Sequence, residues 1–388
     1  MPKRIAMVVF SHYPADPRVR REAEALAGAG MLVDVFCLRA EGEQGKEEMN
    51  DVFIYRLPVK RTRSGKLNYL FEYACFIFLA FLTVALFHIR NRYHVIQAHN
   101  MPDVLVFSAL IPRLTGAKVI LDLHDPMPEI YMTKYAVTKS HPAIRLIRFL
   151  EKCSIRFADM VLTPNIAFRD LFISRGCPPS KIHIVMNSPQ ENIFNFKSPN
   201  KPTTGEDGFV IMYHGYIAAR NGLDIALEAI VRLRGKIPNL KFEVYGDGDF
   251  VRQFLNRVKE MNIDSFVNYR GFKPIEEIVE AIKSIHVGII PNRMNPFNNL
   301  NLPTRIFEYL SMKKPVIAPR TKGIADYFDE ESLHFFEAGD VDSLARAILD
   351  VYSNPARAQL RLEEGINIYN LHRWELEKNH LIKLVEKM

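Results

Sequence analysis

The sequence is poor in cysteine, and its four cysteines lie far apart. Cys37, Cys75, Cys153 and Cys177 form no C-x-x-C pair, so the sequence indicates neither a zinc site nor a disulfide framework. A reduced cytoplasmic setting is the simplest interpretation. The opening residues, MPKRIAMVVF, contain too short an apolar run for a secretory signal and pass directly into a strand-like segment. They predict no export.

The sequence also lacks the motifs of two large ligand classes. After the first predicted strand the chain continues as SHYPADPRVR rather than as G-x-G-x-x-G, which counts against an enzyme that binds NAD or FAD. Zinc-finger spacing and an RRM-type aromatic motif are absent as well. The net charge of +7 favours anionic partners. We therefore rank nucleic acid below an anionic membrane surface and a phosphorylated small molecule.

What is present is an alternation of strand-like apolar runs with helical patterns. The chain has 388 residues, of which 48% are hydrophobic and 24% charged, and this predicts an ordinary globular protein of roughly two to three domains. The alternation predicts β-α-β units and parallel sheets. The predicted organisation is an N-terminal domain at 1–189, a linker at 190–208, a C-terminal domain at 209–370 and a helix at 371–388 that packs back on the N-terminal domain.

Polar residues follow two of the predicted strands in the N-terminal half. Asp16, Arg18 and Arg20 come after the first strand, at the carboxyl end where doubly wound folds bind ligands. The alternative is that both arginines are solvated residues of the following helix. His124 and Asp125 end the strand KVILDL and open a loop that also contains Glu129 and two prolines. This cluster is the best active-site candidate of this half.

The most hydrophobic stretch runs from Tyr73 to Phe87 and carries no charge. Its length approaches the roughly 20 apolar residues that span a bilayer. Spanning would place strands of one predicted sheet on opposite sides of the membrane. We therefore predict a helix at about 67–90 that packs on the sheet and dips its outer face into one leaflet. The flanking basic residues are Lys60, Arg61, Arg63, Lys66, Arg90 and Arg92. The alternative is a helix that is fully buried against the sheet.

The stretch from Pro291 to Pro319 combines an Asn-rich loop, a short helix and a strand. Arg305 and Glu308 are three residues apart and share a face of the predicted helix. Near a helix N-terminus such a pair can hold a phosphate and a sugar hydroxyl. The alternative is a surface ion pair of little energetic weight.

Several segments resemble, in order along the chain, motifs of glycosyltransferase family 4, which has the GT-B fold. They are ADMVLTPN, VMNSP, YHGYIAARNGLDIALEAI, FEVYGDGDF, YRGF, IIPNR and LPTRIFEYLSMKKPVIA. The resemblance covers essentially the whole chain. DPRVRREAEALAGAG and the apolar helix followed by HVIQAHNMPDVLVF resemble the membrane-associated branch that builds lipid-linked polysaccharides, including lipopolysaccharide.

The resemblance implies two Rossmann-like β/α/β domains facing across a cleft. The second domain would bind a nucleotide-diphosphate sugar, with UDP-sugar favoured and GDP-sugar possible, and the first would bind a lipid-linked or glycan acceptor. Transfer would retain the anomeric configuration and would need no metal and no other cofactor. The implied location is the cytoplasm, with peripheral attachment to the anionic inner face of the cell membrane, and nucleic acid is not an implied partner.

The resemblance also implies roles for individual residues. Glu308 matches the carboxylate that accepts hydrogen bonds from the ribose hydroxyls, Arg305 and Arg220 match contacts to the diphosphate, and His124 would face the transferred sugar. The implied donor-binding residues are Arg220, Gly246, Phe272, Asn301, Arg305 and Glu308, and the catalytic candidates are His124, Asp125 and Asp16. The general base stays open among Asp125, Glu129, Asp16 and an oxygen of the donor phosphate.

Three positions depart from the family pattern. Leu300 stands where many members have the first of two glutamates, and Tyr216 and Asn221 replace the usual Arg and Lys of the first donor-domain loop. Asn298, Asn299 and Asn301 are candidates for polar contacts to the sugar in compensation. The departures leave open a non-catalytic protein that binds nucleotide sugars or acts in assembly. A GT-B epimerase or phosphorylase is a further alternative, because a fold does not determine its chemistry.

Overall fold

The computed structural model describes residues 2–59, 66–195 and 208–388. The chain divides into two compact units, of which the N-terminal unit comprises Met1–Asn187 with Glu377–Met388 and the C-terminal unit comprises Ser188–Leu376. Residues 196–207 of the predicted linker lie outside the described residues, as do three of the predicted basic flanking residues, Lys60, Arg61 and Arg63.

The N-terminal unit is built on an eight-stranded sheet in the order β3-β4-β2-β1-β5-β6-β7-β8. The strands are β1 Arg4–Val9, β2 Leu32–Leu38, β3 Lys46–Met49, β4 Val52–Leu57, β5 Val95–His99, β6 Lys118–Asp122, β7 Met160–Thr163 and β8 Ile182–Ile184. Seven strands run parallel, as predicted, and the central ones are buried on both faces.

The edge strand β3 corrects the expectation of a wholly parallel sheet, because it pairs antiparallel with β4. Asn50 and Asp51 connect the two strands and both have positive φ, 51° and 62°, which is the backbone of a tight hairpin turn. The sequence of β3, KEEM, is charged and has no apolar alternation, so its pattern could not predict a strand.

Helices cover both faces of this sheet. They are α1 Pro17–Gly28, α2 Lys66–Asn91, α3 Leu110–Leu114, α4 Met127–Tyr135, α5 Pro142–Phe157 and α6 Ile166–Ser174, with 3-10 turns at Asp103–Ala109 and Pro179–Lys181. Right-handed crossovers put α1 on one face and α2, α3, α5 and α6 on the other. The last helix of the chain, α14 Trp374–Glu386, belongs mostly to this unit, and Val385 accepts a hydrogen bond of 2.9 Å from Lys3 Nζ.

Helix α2 has two apolar faces, and only one of them is covered. Every fourth residue is buried, in the series Glu72, Phe76, Ala80, Val84 and His88, and the large exposed side chains on the other side are Phe71, Phe78, Leu82, Leu86 and Ile89. The segment Phe71–Asn91 is long and apolar enough to cross a membrane by length and composition. Its buried stripe packs on the unit's own 3-10 turn, on α3 and on the sheet. Because the side chains on the opposite face are exposed, the helix is not the fully buried alternative considered from the sequence.

The C-terminal unit has a six-stranded parallel sheet in the order β11-β10-β9-β12-β13-β14. The strands are β9 Val210–His214, β10 Lys241–Tyr245, β11 Val267–Gly271, β12 Val287–Ile289, β13 Val316–Pro319 and β14 His334–Phe336. The helices are α7 Leu223–Leu233, α8 Val251–Glu260, α9 Ile275–Ser284, α10 Thr304–Ser311, α11 Lys322–Ala325, α12 Val341–Ser353 and α13 Pro355–Leu371, with a 3-10 turn at Ala219–Asn221. Alternating β and α segments thus give the predicted doubly wound architecture.

Candidate active site

The carboxyl ends of β1, β5 and β6 are neighbours and bring together the polar residues of the N-terminal unit. Asp16, predicted as a catalytic candidate, caps α1: its Oδ1 accepts from the backbone N–H groups of Arg18 and Val19 at 3.2 and 3.3 Å. Its Oδ2 accepts from Ser11 Oγ at 2.9 Å. Both carboxylate oxygens therefore stabilise the loop and the first turn of the helix.

Arg18 is buried and is not the solvated residue considered from the sequence. Its Nε and Nη2 donate to the two carboxylate oxygens of Asp122 at 2.7 and 2.6 Å, and its Nη1 donates to the carbonyl of Val185 and to Asn187 Oδ1, each at 2.9 Å. Such a bidentate pair requires the planar guanidinium. Arg20, in contrast, forms an i,i+4 pair with Glu24 at 2.9 Å, and its side chain is 39% exposed, in keeping with the alternative of a solvated helix residue.

His124 belongs to the same network. Its Nδ1 lies 3.3 Å from Asp122 Oδ2, and Nδ1 of His99 lies 2.9 Å from the same oxygen. Burial lowers the pKa of His124, but the hydrogen bond and the charge of Asp122 outweigh it and raise the pKa to about 9. The His124 side chain keeps 18% of its surface exposed while Asp122 and His99 have none, so among these three residues the charge of His124 is the one that reaches the surface.

One ligand atom from each of His99, Asp122 and His124 lies within 4.8 Å of the other two, the spacing of a metal site. The donor chemistry does not fit a metal ion. Asp122 already accepts two hydrogen bonds from Arg18, and a buried guanidinium beside the carboxylate opposes a second cation. The cluster is a hydrogen-bonded charge network.

The other two acids predicted near His124 differ in their surroundings. Glu129 is buried and paired with Arg175, so its charge is compensated within the unit. Asp125 is half-buried, and its backbone N–H donates to Asn100 Oδ1 at 3.3 Å. Asn100 also accepts from the backbone N–H of His124 at 3.2 Å, so one amide oxygen fixes the turn that carries both predicted catalytic residues.

In the C-terminal unit, three neighbouring strands end in or are followed by glycines with positive φ. Gly215, Gly246 and Gly271 follow or end β9, β10 and β11, with φ values of 118°, 135° and 69°. A Cβ on Gly246 would lie 1.9 Å from the carbonyl oxygen of Gly215. A side chain at Gly246 would therefore clash with the backbone of the loop after β9, and only glycine allows the two loops to lie this close. Phe272, which follows β11, is 78% exposed, and Tyr216, which follows Gly215, is 47% exposed.

Helix α10 places Arg305 and Glu308 beside these glycines. Its N-cap, Pro303, has no capping side chain, so its first turn leaves backbone N–H groups open to a ligand. Arg305 Nη1 donates to the carbonyl of His214 at 2.7 Å, and its guanidinium stacks 4.4 Å from the ring centre of Tyr213. Arg305 is thus anchored to the end of β9 and is more than the surface ion pair considered from the sequence.

Glu308 lies beside a histidine that the sequence analysis did not single out. His214 Nε2 is 3.3 Å from Glu308 Oε2, but burial and the neighbouring Arg305 lower the pKa of His214 to about 3. The histidine is therefore neutral near pH 7, and the contact is not an ion pair. The signal that could have identified His214 is its place at the carboxyl end of a strand, where His99 also lies.

The Asn-rich loop has an internal structural role that the sequence did not predict. Asn298 is buried, and its Nδ2 donates to the carbonyls of Arg220 and Arg293 at 2.8 and 2.9 Å. Asn299 accepts from the backbone N–H of Lys322 at 3.2 Å. Of the three asparagines expected near the sugar, Asn301 is half-buried and contributes its backbone to a tight approach with Gly323.

One of the two departures in the loop after β9, Asn221, has a structural explanation. Asn221 is buried, and its Nδ2 donates to Tyr213 Oη and to the carbonyl of Tyr216, each at 2.7 Å. An amide therefore braces the loop where a cation is usual. Arg220 next to it is exposed, with its guanidinium 5.7 Å from the ring centre of Phe297.

Two family models together match most of the chain. The glycosyl transferase 4-like domain matches residues 15–188, and the glycosyl transferases group 1 domain matches residues 208–354. The chain belongs to the group 1 glycosyltransferases. The family predicted from the motifs is thereby confirmed, and the expectation that this chain is a glycosyltransferase is supported.

The curated relatives are distant. The amylovoran biosynthesis glycosyltransferase AmsK of Erwinia amylovora is 22% identical over 49% of this chain and 47% of its own length. The putative colanic acid biosynthesis glycosyltransferase WcaL of Salmonella typhimurium is 20% identical over 44% and 42%. The chain spans about half the length of the curated relatives it matches.

Solved structures match the group 1 chain over nearly its whole length. Sucrose-phosphate synthase from Thermosynechococcus elongatus has a TM-score of 0.78 at 18% identity and covers 99% of this chain and 98% of its own. Anabaena Alr3699/HepE in complex with UDP-glucose has a TM-score of 0.77 at 15% identity, with coverages of 99% and 100%. At these identities the likeness establishes the fold, and it confirms the predicted GT-B class.

Proposed function

We propose that this group 1 glycosyltransferase moves a sugar from a nucleotide-diphosphate sugar to a lipid-linked or glycan acceptor in cell-surface polysaccharide biosynthesis. The observation that carries the proposal is the cluster at the carboxyl edge of the C-terminal sheet. There Glu308, Arg305 and the uncapped start of α10 lie beside the glycine turns after β9 and β10. Relatives with names from amylovoran and colanic acid synthesis support the pathway class.

In this proposal the C-terminal unit holds the donor. Glu308, which lies on α10 beside His214 and one turn from Arg305, accepts hydrogen bonds from the ribose hydroxyls. The diphosphate lies at the start of α10 and is contacted by Arg220 and Arg305, where cations and backbone N–H groups stabilise the leaving charge. UDP-sugar is the favoured donor, in keeping with the UDP and UDP-glucose complexes of the Anabaena protein.

His124 of the N-terminal unit acts as a hydrogen-bond donor to the transferred sugar. With a pKa of about 9 it carries a proton near neutral pH, so it is unsuited to be the general base. Transfer with retention then takes its base from Asp125 or from an oxygen of the leaving phosphate. The cations around the diphosphate supply the charge stabilisation that a metal ion gives other transferases.

The acceptor is delivered from a membrane surface in this proposal. The exposed stripe of α2 enters the boundary between headgroups and acyl chains, while its buried stripe stays on the sheet. Exposed Arg90 and Arg92 at the end of the helix attract anionic lipids. In this proposal the protein binds peripherally to the cytoplasmic face of the membrane.

The test is release of nucleoside diphosphate from nucleotide sugars in the presence of membrane extract. We expect Glu308→Ala to weaken donor binding roughly tenfold or more, because it removes hydrogen bonds to a charged acceptor worth about 1.5–3 kcal/mol, without loss of fold. Glu276→Ala, at an exposed glutamate in the first turn of α9, is the matched control.

Full activity of a folded Glu308→Ala protein would contradict the donor site. Donor binding without any release, whatever acceptor is supplied, would instead identify the nucleotide-sugar-binding protein that Leu300, Tyr216 and Asn221 leave open. Turnover without an acceptor would favour an epimerase, and phosphate-dependent cleavage of a glycan a phosphorylase.

A further inference from the structure

A small polar cavity lies in the N-terminal unit. It has a volume of about 170 Å³ and is bordered by α4, α5 and α6. The polar side chains that line it are Glu129, Lys139, Arg148, Ser174 and Arg175. Glu129 belongs to the first turn of α4, which directly follows the loop of His124, so the cavity is close in the chain to the candidate reaction centre.

Two residues that line the cavity each have a buried polar atom without a hydrogen-bond partner among the described residues: the donor Nε of Arg175 and the acceptor Oε2 of Glu129. Arg175 Nη1 donates to Glu151 Oε2 at 2.9 Å, and its Nη2 pairs with Glu129 Oε1. An unpaired buried polar atom costs about 1–3 kcal/mol. A ligand that offers both an acceptor oxygen and a hydroxyl would satisfy the two atoms together.

The charge of the cavity favours an anion. Lys139 and Arg148 are exposed and add two cations at its rim. Burial raises the pKa of the Glu151 carboxyl to about 8, and the three basic side chains Arg175, Lys139 and Arg148 outnumber the two carboxyls Glu129 and Glu151. The sum over these groups is positive, and an anionic group with several oxygens matches the forked arginine donors.

Helix α5 joins this cavity to an apolar surface. Ile144 and Arg148, one turn apart, line the cavity, whereas Leu146 and Phe149 on the same helix are 58% and 63% exposed. A ligand with a charged head and an apolar tail would match both parts of the helix. The cavity lies below the roughly 300–1,000 Å³ of ordinary ligand pockets, so it has room for a head group only.

We propose that this cavity binds the phosphorylated sugar end of a lipid-linked acceptor. The phosphate accepts from Arg175 Nε, Arg148 and Lys139, a sugar hydroxyl donates to Glu129 Oε2, and the lipid leaves over Leu146 and Phe149. The assignment to an acceptor rests on the proposed function. The same head-group chemistry occurs in water-soluble sugar phosphates, and the experiment separates the two sources.

The test measures binding to the full chain by calorimetry, with glucose 1-phosphate as the probe and with glucose and inorganic phosphate as comparators. We expect glucose 1-phosphate to bind more tightly than either comparator. Lys139→Ala combined with Arg148→Ala should weaken it tenfold or more, since two charge-assisted contacts are lost. Arg145→Ala combined with Lys152→Ala removes two exposed cations from the same helix and should leave the affinity unchanged.

The second arm uses glucose 1-phosphate esterified with a farnesyl chain. We expect it to bind at least tenfold more tightly than the soluble probe, and we expect Leu146→Glu combined with Phe149→Glu to abolish that gain. Equal affinity for the soluble and farnesylated probes would overturn the lipid-linked assignment. A probe affinity that survives Lys139→Ala with Arg148→Ala but disappears in Glu308→Ala would place the site in the C-terminal unit and overturn the proposal.

These measurements need neither a nucleotide sugar nor turnover, so they separate this proposal from the proposed function. Weakened probe binding in the double variant, in a protein that transfers no sugar, would keep the site and refute its role as an acceptor site. Unchanged binding in the double variant, in a protein with intact transfer, would refute the site alone.

Discussion

Asp122 is the residue on which the polar groups of the N-terminal unit converge. Its two oxygens accept from Nε and Nη2 of Arg18, from His99 and from His124. Burial alone would raise the pKa of this carboxyl, but the positive partners hold it well below its usual range. A fixed buried anion keeps His124 both oriented and protonated.

The charge of His124 predicts a dependence of stability on pH. Its folded-state pKa of about 9 exceeds the unfolded value of about 6.5. The resulting stabilisation is fully present below pH 6.5 and is lost as the pH rises through 9. We expect the difference in free energy of unfolding between the natural protein and His124→Gln to shrink over this interval. Urea unfolding at a series of pH values measures it, and parallel curves for the two proteins would contradict the raised pKa.

Arg18 and Arg20 form a matched pair for testing how the burial of an arginine affects the stability of the protein. Arg18→Ala leaves Asp122 without its bidentate partner, and we expect a loss of about 3–5 kcal/mol in the free energy of unfolding. Arg18→Lys should recover only part of it, because an ammonium cannot donate in a fork. Arg20→Ala removes an exposed i,i+4 pair and should cost less than about 1 kcal/mol. Equal effects of Arg18→Ala and Arg20→Ala would show that the buried network is not stabilising.

At the residue scale the sequence predicted which polar residues follow the strands but could not separate buried structural side chains from exposed ones. His124 and Glu308 could be singled out because each follows a recognisable pattern. The burial of Arg18 could not, because most of its partners lie on β6 and just after β8, and only Glu22, at 3.2 Å, lies on α1 itself. Asn221 likewise needed Tyr213 and Tyr216 in place before its role was visible.

Helix α2 shows what periodicity can and cannot predict. Its length and composition were evident, and the sequence predicted a helix at about 67–90 where the structure has Lys66–Asn91. Both faces are apolar, so the sequence alone did not decide which face would be covered. In the structure the covered face is the one that carries every fourth residue from Glu72 to His88, because this face packs on the unit's own sheet and turns.

The exposed stripe of α2 gives a prediction for membrane binding. Phe78 and Leu82 are 60% and 41% exposed, and each apolar side chain that enters the lipid contributes about 1.5–3 kcal/mol. Phe78→Glu combined with Leu82→Glu should therefore reduce binding to anionic vesicles tenfold or more in sedimentation. Leu360→Glu, at a 67% exposed leucine of α13, is the control. A natural protein that stays in the supernatant would refute insertion.

At the scale of the whole molecule, two alternating β/α series could be read from the sequence because each apolar run is short and bounded by turn residues. The edge strand β3 and the short strand β14 were missed, since neither has an alternating apolar pattern. The division of α14 between the units follows from packing rather than from any local pattern: its later residues Leu381 and Val385 are fully buried, and Glu377 accepts from the backbone N–H of Met186 at 2.9 Å.

The packing of α14 predicts that a truncation on its buried face strongly lowers the free energy of unfolding. Leu381→Ala should lower the free energy of unfolding by about 2–5 kcal/mol, the cost of a buried cavity. Leu376→Ala on the same helix, where the side chain is 46% exposed, should change it by about 0.5 kcal/mol or less. Thermal and urea unfolding of the two variants compare them. Similar stabilities would show that the helix contributes little to the N-terminal unit.

The return of α14 to the first sheet also determines how the chain can be cut and rejoined. The C-terminal unit is one continuous stretch, inserted into an N-terminal unit whose two segments meet where Lys3 donates to the carbonyl of Val385. A fragment that stops at residue 187 lacks the helix that closes its own fold. A circular permutant that links the segment of Lys3 to that of Val385 and opens in an exposed loop would preserve both units, because these two segments already meet.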